Sequence, residues 1–438
     1  MFQYYLKLSW LSIKRTPMLT ALMVIAIGLG IGVSMTVLTV NYMMAQDPIP
    51  EKSTQLFAVQ LYSYGKGTKN NSAKDGFPFQ LTYQDAMGIH LSEIPTRKTR
   101  SLSTGFSLIP TDTDQTPFME SARAIDSDFF EMFQLEFILG KSWDKSVDTQ
   151  AENVVVISEE LNEKLFKGEN SLGKTINLGQ QLYTVVGVTK NWYPTPKYYD
   201  LNNGSFNDAE RMFIPFSLLP VHEVPSWGNN NGWKTETVNT YQDKLKSEIH
   251  WNQYWTELNT PKQVEDYKNW LEGYVSEQKK LGRFENENAG ASLKNVLEWL
   301  NYHEVISNDN RILIGLSFMF LLVCMINTLG LLLAKFLKRA PEIGVRRALG
   351  ASRKTIFIQH LVDVGSIGLL GGIVGLGLGQ LGLFGVEKLY RGYGQLVDMD
   401  FTLIIVAILL ALGSSVLAGL YPAWLICRTN PSIYLKSQ

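Results

Sequence analysis

The sequence predicts an α+β membrane protein: four transmembrane helices, with a large mixed α/β extracytoplasmic domain inserted between helices 1 and 2. Three observations carry this. Four apolar blocks, residues 18–40, 312–334, 364–386 and 401–427, contain no Asp, Glu, Lys or Arg, and about 20 such residues cross about 30 Å of hydrocarbon as a helix. Basic residues crowd some block ends and avoid others. The long stretch between the first two blocks mixes strand-like and helix-like patterns.

Residues 1–17 come first. "FQYYLKLSWLSIKR" is amphipathic and aromatic, so it reads as a cytoplasmic helix lying on membrane lipid and leading into the first span. The first span, 18–45, is too long for a signal-peptide core and lacks a small-residue cleavage site, so it reads as a retained signal anchor. Lys7, Lys14 and Arg15 precede it, and Asp47 and Glu51 follow it. Lys335, Lys338, Arg339, Arg346, Arg347, Arg353 and Lys354 follow the second block, and Arg428 and Lys436 follow the fourth. The positive-inside rule then places both termini and segment 338–361 in the cytoplasm. Residues 46–308 are placed outside, divided into a mixed part (46–220) and a more helical part (221–308). The remaining spans are 309–337, 362–387 and 401–427, with a short external loop at 388–400 and a cytoplasmic tail at 428–438.

Composition narrows the function classes. The 438 residues carry 40 Lys+Arg against 41 Asp+Glu, a formal net charge of −1, which argues against a nucleic-acid partner. The only cysteines, Cys324 and Cys427, lie in apolar blocks, so no disulfide framework supports the external domain. His90, His222, His250, His303 and His360 are scattered without metal-ligand spacing.

Within the external part, "LFAVQLYS" reads as a strand, "NVVVISEELNEKLF" as strand then helix, and "QLYTVVGVT" as a strand. In "TPKQVEDYKNWLEGYVSEQKKLG", Thr260 suits an N-cap, Pro261 the first helical position and Gln263 a capping box. Val264, Tyr267, Leu271 and Tyr274 recur at helical spacing up to a stop at Gly282. Trp227, Trp233, Trp251, Trp255 and Trp270 fit core packing or contact with a hydrophobic ligand or adaptor.

Residues 168–175, "GENSLGKT", match the phosphate-loop pattern. A working loop joins a buried strand to a helix whose N-terminus faces the phosphates. Here the order is reversed, with a helix from Ser158 before the motif and strands after it. The motif reads as a turn with an exposed Lys174, outside the compartment that holds ATP.

The segment "KRAPEIGVRRALGASRKTIFIQHLVD", 338–363, is amphipathic and basic, with a break at Gly350 and Ser352. Its "PEIGVRRALGAS" resembles the coupling segment of the MacB/FtsX-type superfamily of ABC permeases, which includes macrolide exporters, lipoprotein-releasing permeases and FtsX division proteins. "SIKRTPMLTALMVIAIGLGIGVSM" resembles the family's first span. "IDSDFFEMFQLEFILGKSW" and "VVVISEELNEKLFKGENSLGKTINLGQQLYTVVGVTKNW" resemble its periplasmic core, and "RMFIPFS" fits the strand closing that core. Residues 220–305 match less well.

The resemblance implies a non-catalytic permease subunit of a MacB-like export or efflux system in a bacterial inner membrane, with no cofactor in this chain. A separate ABC ATPase subunit, holding ATP and Mg, would dock on the loop between spans two and three. Glu342, Gly344, Arg346, Arg347, Ala348, Gly350, Ala351 and Ser352 would form or orient the coupling helix, with charged residues making salt links to the partner. ATPase closure would move the external domain by mechanotransmission. The spans carry no charge suited to an ion path. A second permease, as homo- or heterodimer, a periplasmic adaptor and an outer-membrane channel are the other implied partners. Lipoprotein release and FtsX-like regulation of a periplasmic partner are the alternative readings. Gly28 and Gly32 in span one, and Gly368, Gly372, Gly375 and Gly379 in span three, form GxxxG-type pairs that suit either a dimer contact or packing within one chain. Asn327 and Gln380 suit interhelical hydrogen bonds.

Overall fold

A computed structural model describes residues 2–110, 116–305, 308–389 and 401–428. By contacts the chain forms two compact units, Gln46–Val305 and the combination of Met1–Ala45 with Ile306–Gln438. The external loop expected at 388–400 and the tail at 428–438 lie almost wholly outside the described residues.

The inserted unit holds twelve strands: β1 (Leu56–Leu61), β2 (Leu81–Thr82), β3 (Arg97–Ile109), β4 (Phe118–Ile125), β5 (Phe137–Gly140), β6 (Val154–Ser158), β7 (Thr175–Leu178), β8 (Gln181–Thr189), β9 (Met212–Pro215), β10 (Asn231–Gly232), β11 (Ile249–Glu257) and β12 (Ala291–Asn295). They form one sheet in the order β12-β1-β11-β3-β4-β9-β6-β8-β5, with β7 pairing both β8 and β3. That last pairing closes β3, β4, β9, β6, β8 and β7 into a ring. Pairs β4–β9 and β6–β8 are parallel. Leu102, Leu108, Ala122, Val155, Ile157, Val185 and Ile214 from the ring strands share one fully buried core. A second core is aromatic, joining Phe129, Phe133, Tyr199, Phe213 and Trp255.

The sheet corrects the division expected near residue 220. Strand β11 lies between β1 and β3, and β12 pairs with β1. Residues from both sides of the expected boundary therefore build one sheet. Sequence patterns report local periodicity and carry no trace of such long-range pairing.

The helices of this unit are α3 (Tyr83–Ile89), α4 (Asp128–Met132), α5 (Val147–Gln150), α6 (Glu159–Phe166), α7 (Leu219–His222), α8 (Tyr241–Lys246), α9 (Pro261–Lys280) and α10 (Val296–Tyr302); helices α1 and α2 precede them in the other unit. Thr260 caps α9 by accepting from the Gln263 amide. The Gln263 side chain reaches the Asn259 amide at 2.8 Å rather than that of Thr260, so the capping box is shifted by one residue. Trp251 and Trp255 are core residues and Trp270 packs on a third core. Trp227 is 45% exposed.

A buried ionic cluster crosses the sheet. Arg123, from β4, pairs with Asp200 and with Glu210 (2.8 Å), all three nearly inaccessible to solvent. Lys197 also reaches Glu210 at 2.8 Å, and the Tyr199 hydroxyl donates to it at 2.8 Å. Burial pushes the Glu210 carboxyl up, but Arg123 and Lys197 outweigh this and hold it well below the usual carboxylate range.

The other unit contains α1 (Phe2–Arg15), α2 (Pro17–Met44), α11 (Asn308–Lys338), α12 (Ala340–Ala348), α13 (Arg353–Leu389) and α14 (Phe401–Arg428). Four of these, α2, α11, α13 and α14, are long and apolar enough to cross a membrane. Helix α13 runs unbroken from Arg353, so it also takes in the end of the segment expected at 338–361. The glycines explain the packing. A methyl group at Gly28 would lie 2.8 Å from Val374, at Gly32 2.8 Å from Leu378, and at Gly375 2.8 Å from Ile31. At Gly368 it would meet Ser415 and at Gly372 it would meet Ala411 of α14. The Gly379 carbonyl accepts from Thr36 at 3.3 Å. All six glycines thus face helices of their own chain. Packing within one chain accounts for their close approach. Asn327 is exposed on α11.

Candidate functional site

The segment joining α11 to α13 is a short helix between two defined turns. Pro341 lies in the first turn of α12, Glu342 is its first-turn acid, and Arg346 and Arg347 sit in its last turn, the arrangement that the helix dipole favours. The helix ends where Gly350 adopts φ +99°, a conformation open to glycine at little cost. The Ala351 amide then donates back to the Arg346 carbonyl at 3.0 Å. Ser352 starts α13: its hydroxyl accepts from the Thr355 amide at 3.1 Å. The break read from Gly350 and Ser352 is therefore present, but the helix after it is the long third span.

The two faces of α12 differ. Ala340, Ile343 and Gly344 are buried, and Ala340 and Ile343 share a core with Phe336, Ile356 and Ile426. Pro341, Glu342, Val345, Ala348 and Leu349 are exposed and recur at helical spacing, so they share the opposite face. Leu349 is 83% exposed and Val345 48%. The arginines expected to reach a partner are engaged within the chain. Arg346 bonds Glu342 at 2.7 Å and Gln359 at 3.3 Å. Arg347 donates to the Cys427 carbonyl at 3.4 Å. The side chains that α12 offers to a partner are thus chiefly apolar.

Beside α12 lies a group that the sequence reading missed. Lys335 of α11 and Asp363 of α13 form an ion pair at 3.1 Å, with side chains 0% and 5% exposed. Ser9 and Ser12 of α1 donate to the two Asp363 oxygens at 3.1 and 2.9 Å. Arg339 donates to the Ser12 carbonyl at 3.3 Å. The His360 ring packs 4.3 Å from Phe336. Three helices are therefore joined through a buried ion pair next to the α11–α13 connection. The expectation is of no charge suited to an ion path, and this pair is mutually neutralised at the ends of two spans. Both residues fall just beyond the charge-free blocks.

The decoy motif is settled by its surroundings. Helix α6 leads into Gly168, Gly168 and Gly173 hold φ +75° and +76°, and β7 begins at Thr175. No helix starts after Lys174, whose ammonium pairs instead with Glu169 at 3.1 Å. Lys174→Ala should leave transport at wild-type rate and shift stability by under about 0.5 kcal/mol, as for other exposed pairs. Thermal unfolding and a transport assay check this; loss of transport would restore the nucleotide reading. Among the described residues no cluster of His, Cys, Asp or Glu could hold a metal ion.

Architecture and site together define a multi-pass membrane protein with an α/β domain inserted after its first span and a short helix between its second and third. The family description "MacB-like periplasmic core domain" matches residues 20–273, and "FtsX-like permease C-terminal" matches residues 314–431. The chain belongs to the MacB/FtsX-type family of ABC-transporter permeases and is a protein of the inner membrane. It is 23% identical over 353 residues to the macrolide export ATP-binding/permease protein MacB of Neisseria meningitidis, covering 80% of this chain and 48% of that one. The chain thus spans about half the length of that relative. It is 24% identical over 314 residues to the uncharacterized ABC transporter permease YvrN of Bacillus subtilis, covering 70% and 68%. The periplasmic region of MacB from Actinobacillus actinomycetemcomitans aligns with 60% of this chain and 98% of its own, at 15% identity and a TM-score of 0.37.

Proposed function

We propose that the chain is the permease subunit of a MacB-like export or efflux system, driven by ATP hydrolysis in a separate cytoplasmic ATPase. In this reading both termini and α12 face the cytoplasm, and the inserted domain faces the periplasm. The ATPase, with its ATP and Mg, docks on α12, and its closure displaces α11 and α13. The observation that carries the reading is the exposed apolar face of α12, set on a buried face and closed by a glycine turn. A short rigid helix transmits displacement where a flexible loop would absorb it. The buried Lys335–Asp363 pair fits the same role, because it makes α1, α11 and α13 answer to α12 together.

A second permease copy, a periplasmic adaptor and an outer-membrane channel complete the assembly. Asn327 supports the second copy. An exposed amide within a spanning helix is costly facing lipid and is relieved by a hydrogen bond to another helix.

The test is co-purification from native membranes. The wild-type chain should retain an ABC ATPase. Val345→Asp with Leu349→Asp should reduce that retention at least about 30-fold, the effect of removing a contact worth some 2 kcal/mol. Equal retention by the double variant would reject α12 as the docking element.

A further inference from the structure

The inserted unit contains a cleft of about 650 Å³ that the coupling reading does not use. Its walls come from three separate loops, each with a run of asparagines: Asn70–Asn71, Asn202–Asn203 and Asn229–Asn231. Asn70, Asn71, Asn202, Asn229 and Asn231 line the cleft together with Trp233. These loops are distant in sequence and meet only in the fold.

The cleft is pre-organised. The Asn229 amide donates to the Asn203 side chain at 2.6 Å, and the Asn229 side chain donates to the Asn202 carbonyl. Asn202 in turn donates to Gln80 at 2.6 Å, and Asn70 to the Phe77 carbonyl at 3.0 Å. Trp233 is seated on Gly65, where an added Cβ would lie 2.2 Å from the indole ring, and the Lys234 ammonium lies 5.2 Å from the ring centroid. Its Nε1–H has no hydrogen-bond partner among the described residues, an uncommon condition for a buried donor.

The chemistry of the lining selects among ligands. Among the described residues no carboxylate lines the cleft and Lys69 is its one lining cation, with Lys234 over the Trp233 ring, too little charge for a polyanion. Its other aromatic lining residues are Phe79 and Tyr64, the latter almost fully buried. The lining also holds a set of amides, each able to donate and accept, beside one indole ring whose Nε1–H is buried. Sugar rings present the matching pattern, hydroxyls around the rim and C–H groups on the face. The volume falls within the range of small-molecule sites. The Ser63 hydroxyl lies 2.6 Å from His250 Nε2, but both are buried. The pair is out of a ligand's reach, and the cleft is built for binding rather than hydrolysis.

We infer that this cleft binds a neutral oligosaccharide, with Trp233 as the stacking platform and the three asparagine loops reading its hydroxyls. The inference is independent of the coupling reading, since its test needs no ATPase. Saturation-transfer NMR on the full chain in lipid nanodiscs would use chitotriose, cellotriose and maltotriose at millimolar concentration. At least one should receive saturation at its ring protons. Trp233→Ala should weaken that binding at least about 10-fold, and Trp233→Phe should keep most of it. Asn71→Ala with Asn231→Ala, both at exposed positions, should also weaken it and guards against misfolding of the tryptophan variant. No transfer to any of the three sugars would overturn the inference. So would transfer unchanged in both the Trp233→Ala and the asparagine variants, or tighter binding of trialanine than of every sugar.

Discussion

Arg123→Met is expected to destabilise the inserted unit by about 3–5 kcal/mol, a large share of the roughly 5–15 kcal/mol that holds a domain folded. The Arg123 side chain is 0% exposed, and it neutralises two carboxylates that are equally hidden from water. Without it, Asp200 and Glu210 would share only the ammonium of Lys197, which lies on the Glu210 side. The Gln253 amide, 2.7 Å from Asp200, is neutral and cannot replace the lost charge. Tryptophan fluorescence during thermal unfolding of the detergent-solubilised chain would read the loss. Adding Asp200→Asn alone should return most of it, because Lys197 still neutralises Glu210 and the penalty comes from uncompensated charge rather than lost volume. A single variant within about 1 kcal/mol of wild type would contradict this account of the core.

Asp363→Ala carries the second large effect, also about 3–5 kcal/mol, by leaving the buried Lys335 ammonium without a counter-charge. It also removes the shared acceptor of Ser9 and Ser12, so α1 loses its polar attachment to α13. Lys335→Met with Asp363→Leu should melt within about 1–2 kcal/mol of wild type, since apolar pairs often replace buried ion pairs at little cost. If the double variant melts as low as the single one, the pair is a packing element and not an electrostatic one.

Those two clusters show where sequence reading reaches and where it stops. The spans were legible because about 20 consecutive apolar residues have few alternatives to a membrane. The strand pair after Gly173 and the helix capped by Thr260 were legible because their signals are local. Arg123, Asp200 and Glu210 were not legible. Each is an ordinary charged residue in its own segment, and only β4 meeting the 200–210 loop makes them a cluster. Lys335 and Asp363 were hidden for a related reason, since a charge at the end of an apolar block looks like an anchor in the headgroups. The glycine motifs in spans one and three gave the right chemistry, close helix approach, but a spacing cannot say whose helix approaches. At α12 the composition drew attention to the arginines. The structure leaves them half-buried and bonded within the chain, with Val345 and Leu349 outward, a distinction that depends on what covers each face. The "GENSLGKT" motif is the converse case, in which the residues flanking a pattern outweigh the pattern.

The most direct test of the central claim asks what touches Leu349. In a chain carrying Cys324→Ser and Cys427→Ser, Leu349→Cys would be labelled with a thiol-reactive benzophenone and photolysed in native membranes. The account predicts an adduct with an ABC ATPase, absent when the same label is placed at Leu182→Cys on the inserted unit, where Leu182 is 61% exposed. The absence of an ATPase adduct at Leu349, or the same adduct from both positions, would contradict it.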